Sequence, residues 1–349
     1  MQISTDQPVA VRPGEELPIP ALQQYLDGVV DIGIIQDVKQ FPHGFSNLTY
    51  GLKTSTGDFI LRRPPFGANI KSAHDMGREF QVLTLLKPHY PHVPQPVTIC
   101  NNLEVMGAPF YVMSRLPGVI LRAEHARKGI PPDLLKSLSQ KLIDNLAALH
   151  AIDVHATGLI QLGKPDGYVQ RQVEGWVARY KKAETKTIEE MDAVANWLHA
   201  NIPVSGAPAL LHNDYKYDNV VLHPQQLTEM VGVLDWEMAT VGDPLMDLGA
   251  TLAYWCEVGD APITRLFNIS WLPGNLSREE VIHRYAEVSG RDVSRISFYY
   301  AFGLFKNAVI AQQIYSRWKA GFTKDPRFGQ LIEVVHALAK QAVHAIQKM

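Results

Sequence analysis

The chain has 349 residues, 46% hydrophobic and 19% charged, which is ordinary globular composition and long enough for two lobes. A net charge of -2 without a long basic block excludes a general electrostatic pull toward nucleic acid or an anionic membrane. The two cysteines, Cys100 and Cys256, have no metal spacing, the start of the chain is not basic, and no stretch offers about 18 uninterrupted apolar residues, so a soluble cytoplasmic protein with free thiols is expected, its oligomeric state open.

After a proline-containing leader, Leu22, Tyr25, Leu26 and Val29 recur at helical spacing and predict a helix over 19–30. Runs rich in strand formers follow at 34–41, 48–53 and 58–63, an expected antiparallel meander. Its first turn, 42–47, holds Gly44, Ser46 and Asn47, small enough for backbone N–H groups to approach phosphate oxygens. Beyond Pro64-Pro65, apolar residues at 76, 80, 83 and 86 predict an amphipathic helix over 72–86. Two last strands are expected at 97–100 and 109–114, with Asn101-Asn102 turning between them, and Pro117-Gly118 marks a chain turn.

From Pro131 the pattern becomes helical. Leu135, Leu138, Leu142, Leu146 and Leu149 predict a long core helix that ends near His150, itself expected to be structural; a helical pair follows at 168–182 and 188–201. Two apolar runs then flank the polar segment from His212 to Asn219, which places that segment in a loop held at both ends by strands. The spacing His212-x-Asp214-x4-Asn219 is what phosphoryl transfer needs: Asp214 takes the proton of an attacking hydroxyl, Asn219 holds magnesium, and Asp235, ending the next apolar strand, adds a second metal ligand.

This motif, followed by Leu234-Asp235-Trp236-Glu237 and Gly242-Asp243-Pro244-Leu245-Met246-Asp247-Leu248, resembles the aminoglycoside phosphotransferase family of the protein-kinase-like fold. Arg62-Arg63-Pro64-Pro65 and the segment from Ser72 to Glu79 look most like the branch associated with acyl-CoA dehydrogenases. The resemblance implies an α+β, two-lobed fold: an antiparallel-sheet nucleotide lobe over 1–115 and a mostly helical catalytic and substrate lobe over 116–349. It implies that Gly44, Ser46 and Asn47 lie near the phosphates, and that Arg62 stands where kinases carry a lysine, paired with Glu79, with Arg63 as the alternative. It further implies that Met113, Ser114 and Leu116 border adenine, while His212 and Asp247 support the catalytic loop. His74 and Asp75 acquire no chemical role. The close approach of Gly242-Asp243-Pro244 to Asp235 leaves no room for a long activation segment.

Ser277-Arg278-Glu279-Glu280 is a capping box opening a helix through 288, Asp292 is expected to cap the next long helix through about 318, and a last helix is expected over 327–347. Ten Lys or Arg against seven Asp or Glu between 251 and 330 suit a neutral or anionic acceptor better than a polycationic antibiotic. The expectation is an ATP- and magnesium-dependent kinase acting on a small-molecule hydroxyl, with a hydroxyacyl-CoA as the acceptor the resemblance suggests. The other readings are a silent nucleotide- or acyl-CoA-binding pseudokinase, an aminoglycoside or other antibiotic kinase, and a metal-dependent hydrolase using His212, Asp214, Asp235 and His223.

Overall fold

The computed structural model describes residues 6–42, 47–65, 76–323 and 325–347; Gly44, Ser46, His74 and Asp75 lie outside them. In chain order the elements are α1 (Ile19–Val29), β1 (Ile35–Gln40), β2 (Leu48–Thr54), β3 (Asp58–Arg63), α2 (Met76–Leu86), β4 (Pro96–Cys100), α3 (Leu103–Met106) and β5 (Phe110–Ser114). Then come α4 (Pro132–His150), α5 (Tyr168–Ala183), α6 (Glu189–Ala200), β6 (Ala209–Leu211), β7 (Val220–Leu222), β8 (Met230–Val233) and β9 (Thr240–Gly242). Helices α7 (Pro244–Tyr254), α8 (Arg278–Ser289), α9 (Ile296–Lys319) and α10 (Leu331–Gln347) complete the chain. By packing it groups into two compact units, Met1–Ile120 with Val220–Ala239, and Leu121–Asn219 with Thr240–Met349. These are not two consecutive stretches divided after residue 115, because the hairpin β7–β8 belongs with the first unit.

The first unit is built on an antiparallel sheet of order β1-β2-β3-β5-β4. Tyr50 and Leu52 of β2, Leu61 of β3, and Phe110 and Val112 of β5 alternate along their strands and bury one sheet face with Leu22 and Leu26 of α1. Fully burying one such side chain contributes roughly 1.5 to 3 kcal/mol. Arg63 shares that face with Leu61 and donates through Nη1 to the Met106 carbonyl at 3.3 Å; Arg62 points to the opposite face. Between β4 and β5 the chain makes a short helix, α3, where a plain asparagine turn was expected. Asn102 Oδ1 caps it by accepting from Glu104 N at 3.0 Å, and Gly107, at φ 75°, ends it in the left-handed region. Hairpin β7–β8 is seated through Gly232, where a Cβ would come within 2.3 Å of Leu116 Cδ1.

The second unit is mainly helical, with β6 paired antiparallel to β9. Asp243 caps α7 by accepting from Leu245 N at 2.9 Å, and Ser277 with Glu280 forms the expected capping box of α8. Asp292 accepts from Ser294 N at 2.8 Å in the turn ahead, but α9 starts at Ile296, and α10 starts at Leu331 after a 3-10 turn over Pro326–Gln330. Helices α7 and α9 touch backbone to backbone. A Cβ on Gly249 would lie 2.3 Å from the Tyr299 carbonyl oxygen, and one on Gly303 would lie 2.3 Å from the Gly249 carbonyl oxygen. Among the described residues no helix is long and apolar enough to cross a membrane.

Candidate active site

In the second unit the loop leaving β6 is anchored from below by Asp247, in the first turn of α7 and fully buried. Its two carboxylate oxygens accept from His212 N at 2.6 Å and from Asn213 N at 2.7 Å. Burial works to raise the Asp247 pKa, but the hydrogen bond from His150, the electrostatic influence of the His150 and His212 rings and the backbone bond from His212 hold it below the usual carboxylate range. His150 Nε2 lies 3.2 Å from Asp247 Oδ2 and its Nδ1 lies 2.7 Å from the Tyr285 hydroxyl. With Asp247 ionised, Nε2 carries the hydrogen and Nδ1 accepts from the tyrosine, so His150 is a brace.

Asn213 sits at φ 65°, one of two non-glycine residues at positive φ among the described residues, and this turn delivers Asp214 to the end of the loop. His212 is fully buried, and its Nδ1 accepts from Asp214 N at 3.2 Å. The Asp214 side chain is 16% exposed, and Lys216 Nζ donates to both its oxygens at 2.8 and 2.7 Å. Asn219 uses its amide N–H groups on Asp214, at 2.8 Å to the backbone oxygen and 2.8 Å to Oδ2, so its own carbonyl oxygen is left as an acceptor. Burial would push Asp214 up, but Lys216, then His212 and Lys306, hold its pKa below the ordinary range. Asp214 is therefore ionised: both its oxygens accept from Lys216, Oδ2 also accepts from Asn219, and the Tyr254 hydroxyl bonds the same carboxylate.

The first unit holds a second charged cluster. Arg62 Nη1 lies 2.5 Å from Glu79 Oε1, and the guanidinium reaches Asp235 Oδ1 at 3.3 Å and Glu237 Oε2 at 3.5 Å. Glu237 Oε2 also accepts from Asn47 Nδ2 at 2.8 Å, which ties the end of the first turn to the segment after β8. Asp235 is the second residue at positive φ, 67°, and Trp236 N donates to Glu79 Oε1 at 3.2 Å. Burial works against the Arg62 charge, but Glu79, Tyr111, Asp235 and Glu237 keep its pKa well above the usual value. Met113 pairs with Ile60 in the sheet, Ser114 exchanges hydrogen bonds with Gln95 (N to O at 2.8 Å, N to Oγ at 2.9 Å), and Leu116 packs on Gly232.

Oxygen donors in these clusters fit magnesium. Burial raises the Glu79 pKa against the pull of Arg62, while the carboxylates of Asp235, 35% exposed, and Glu237, 26% exposed, leave negative charge beside the guanidinium open to a divalent cation. An amide carbonyl oxygen such as that of Asn219 and a carboxylate such as that of Asp235 are each of the hard donor type that magnesium prefers. Among the described residues no group of three or more His, Cys, Asp or Glu side chains converges as a metal cage.

Three residues at these clusters escaped the motif reading. Lys216 lies two positions after Asp214, where a lysine passes for a solvated loop residue. Glu237 stands within the quoted Leu-Asp-Trp-Glu run but was given no role. Lys306, on α9, donates to the Asn213 carbonyl oxygen at 2.9 Å; its only sequence signal is a charge inside an otherwise apolar helix. The charge balance of the C-terminal region also reads differently in three dimensions. Arg278 pairs with Glu257 at 3.0 Å and with Asp260, and Arg284 pairs with Asp144 at 2.7 Å, so these cations are engaged within the unit.

The sequence pattern of the phosphotransferase enzyme family (APH) matches residues 37–282. The chain is 32% identical over 95% of its length to the mouse (Mus musculus) protein named acyl-CoA dehydrogenase family member 10, and 34% identical over 90% to rat (Rattus norvegicus) acyl-CoA dehydrogenase family member 11. It spans 31% and 41% of those relatives. Among solved structures, one described as a putative aminoglycoside phosphotransferase from Ralstonia eutropha superposes with a TM-score of 0.81 at 28% identity, over 95% of this chain and 99% of that one. An aminoglycoside phosphotransferase solved with ADP and hygromycin B shares the fold at a TM-score of 0.61 and 14% identity, over 93% of this chain and 97% of that one. An antiparallel-sheet unit with a buried Arg–Glu pair, and a helical unit with an anchored His-x-Asp-x4-Asn loop, agree with these likenesses: the chain belongs to the APH phosphotransferase enzyme family and has its protein-kinase-like fold.

Proposed function

We propose that this small-molecule phosphotransferase moves the γ-phosphoryl of ATP to a hydroxyl, and that the hydroxyl belongs to a hydroxyacyl-CoA. The single observation that carries the transfer reading is the ionised Asp214 at the end of a loop anchored by Asp247, with Lys216 and Asn219 fixing the direction of its carboxylate. The acceptor reading rests on the relatives named as acyl-CoA dehydrogenase family members, which match over most of this chain.

Asp214 Oδ1 receives the proton of the acceptor hydroxyl as its oxygen forms the new bond to phosphorus; the bond from phosphorus to the bridging oxygen breaks, and ADP leaves with that electron pair. Lys216 grips the same carboxylate and so holds a positive charge beside the reacting oxygens. Arg62, held by Glu79, supplies a forked cation for phosphate oxygens. Asn219 and Asp235 would offer magnesium its protein oxygens, and the bound ion would supply charge neutralisation of the phosphates. Asn47 is proposed to stand near the phosphates, and Met113, Ser114 and Leu116 to border the adenine.

The test is ADP formation from magnesium-ATP with 3- and 4-hydroxyacyl-CoA thioesters, beside hygromycin B and kanamycin as antibiotic acceptors. Acceptor-dependent turnover with the thioesters is expected, and Asp214→Asn should lower it by about two to four powers of ten. Nucleotide binding without transfer to any acceptor would point to a pseudokinase, and transfer to the antibiotics alone would overturn the acceptor assignment.

A further inference from the structure

Lys306 is 4% exposed, lies in the middle of α9 among Phe302, Leu304, Phe305 and Ala308, and has no carboxylate within ion-pairing distance among the described residues. A buried ammonium without a paired carboxylate opposes folding, so its place calls for an explanation beyond packing. Its Nζ donates to the Asn213 carbonyl oxygen at 2.9 Å and stands 5.8 Å from the Trp176 ring of α5. Asn213 is thereby pinned on both sides, its N–H to Asp247 on α7 and its C=O to Lys306 on α9. The two pins come from helices whose close approach depends on Gly249 and Gly303, the latter three residues before Lys306.

We propose that Lys306 is a positioning residue for phosphoryl transfer: together with Asp247 it fixes the left-handed turn at Asn213 that aims Asp214, and its charge favours the ionised base. This rests on Asp214 being the base. The charged groups that bear on Lys306 are Asp214 and Lys216 of the loop and Asp247 of α7. Burial pulls the Lys306 pKa down to about 8 while the two carboxylates oppose that pull, so the cation is present below that pH and lost above it.

The experiment uses the full chain with magnesium-ATP alone, reading phosphate release to water, so that no acceptor need be known. Lys306→Met should lower kcat about a hundredfold, as expected when a reacting group is misplaced by about an ångström, with the ATP KM within about threefold. Lys306→Gln keeps an N–H donor without the charge and should fall between wild type and Lys306→Met. Wild-type kcat should decline as pH rises through about 8, and Lys306→Gln should lack that decline. A wild-type kcat flat to about pH 9.5, or wild-type kcat in the variants, overturns the proposal; the wild-type profile decides alone if a variant does not fold. Asp214→Asn run in parallel separates the two claims. If it is inactive while Lys306→Met is normal, only the role of Lys306 fails; if it turns over normally, the base assignment fails.

Discussion

In the first unit one guanidinium faces three carboxylates, whereas in the second one carboxylate is gripped by a lysine and an amide, with a second lysine behind the loop. The signs are opposite. Around Arg62 the excess is negative and partly exposed at Asp235, an arrangement that invites a divalent cation. Around Asp214 the cations hold the carboxyl below its usual pKa and so keep the base ionised. Two jobs are proposed to follow: nucleotide and metal on the first cluster, proton transfer on the second.

Changes at the second cluster should strike kcat. Asp247→Asn removes a charge that accepts two backbone N–H bonds and should lower kcat about a hundredfold by loosening the loop, with ATP affinity changed little, measurable by steady-state kinetics beside calorimetric titration. The folded Asp247 pKa is depressed, so its contribution to stability is present above the unfolded aspartate pKa and lost as pH falls through the folded value. Wild type should therefore lose stability on acidification in a range where Asp247→Asn is flatter, as read by Tm against pH.

The first cluster should respond in the other parameter. Glu79→Gln should raise the ATP KM about tenfold, on the order of 1.5 kcal/mol for a charge-assisted hydrogen bond, with a smaller change in kcat. Glu237→Gln should raise it less, because the Arg62 contact is 3.5 Å and a glutamine still accepts from Asn47. A change at either position confined to kcat would break the division of labour. The smallest effect is a control away from both clusters: Ser277→Ala removes the α8 cap and should cost about 1 kcal/mol of stability, seen as a lower Tm with unchanged kcat and KM.

What was legible in the sequence follows from distance along the chain. His212, Asp214 and Asn219 fall within one short loop, so residue type and spacing suffice to predict that they meet. Arg62 and Glu79 are 17 residues apart; periodicity places one on a strand and the other on a helix, and the family resemblance supplied the expectation that they meet. The pleat then separates Arg62 from Arg63, a choice that periodicity alone leaves open because neighbours face opposite sides. Lys306 lies 93 residues from its partner Asn213, and no local pattern reports that contact. Helix α3 was missed because Asn102 reads equally well as a turn residue and as a cap. The C-terminal charge count takes no account of lateral partners from distant elements, such as Asp144 for Arg284.

The most direct test of the central claim is to titrate magnesium-ATP into Asp214→Asn and to measure its rate of phosphoryl transfer in the same preparation. The account predicts an ATP Kd within about threefold of wild type and a transfer rate lower by at least about a hundredfold. Near-normal transfer, or a loss of ATP binding that matches the loss of rate, would contradict it.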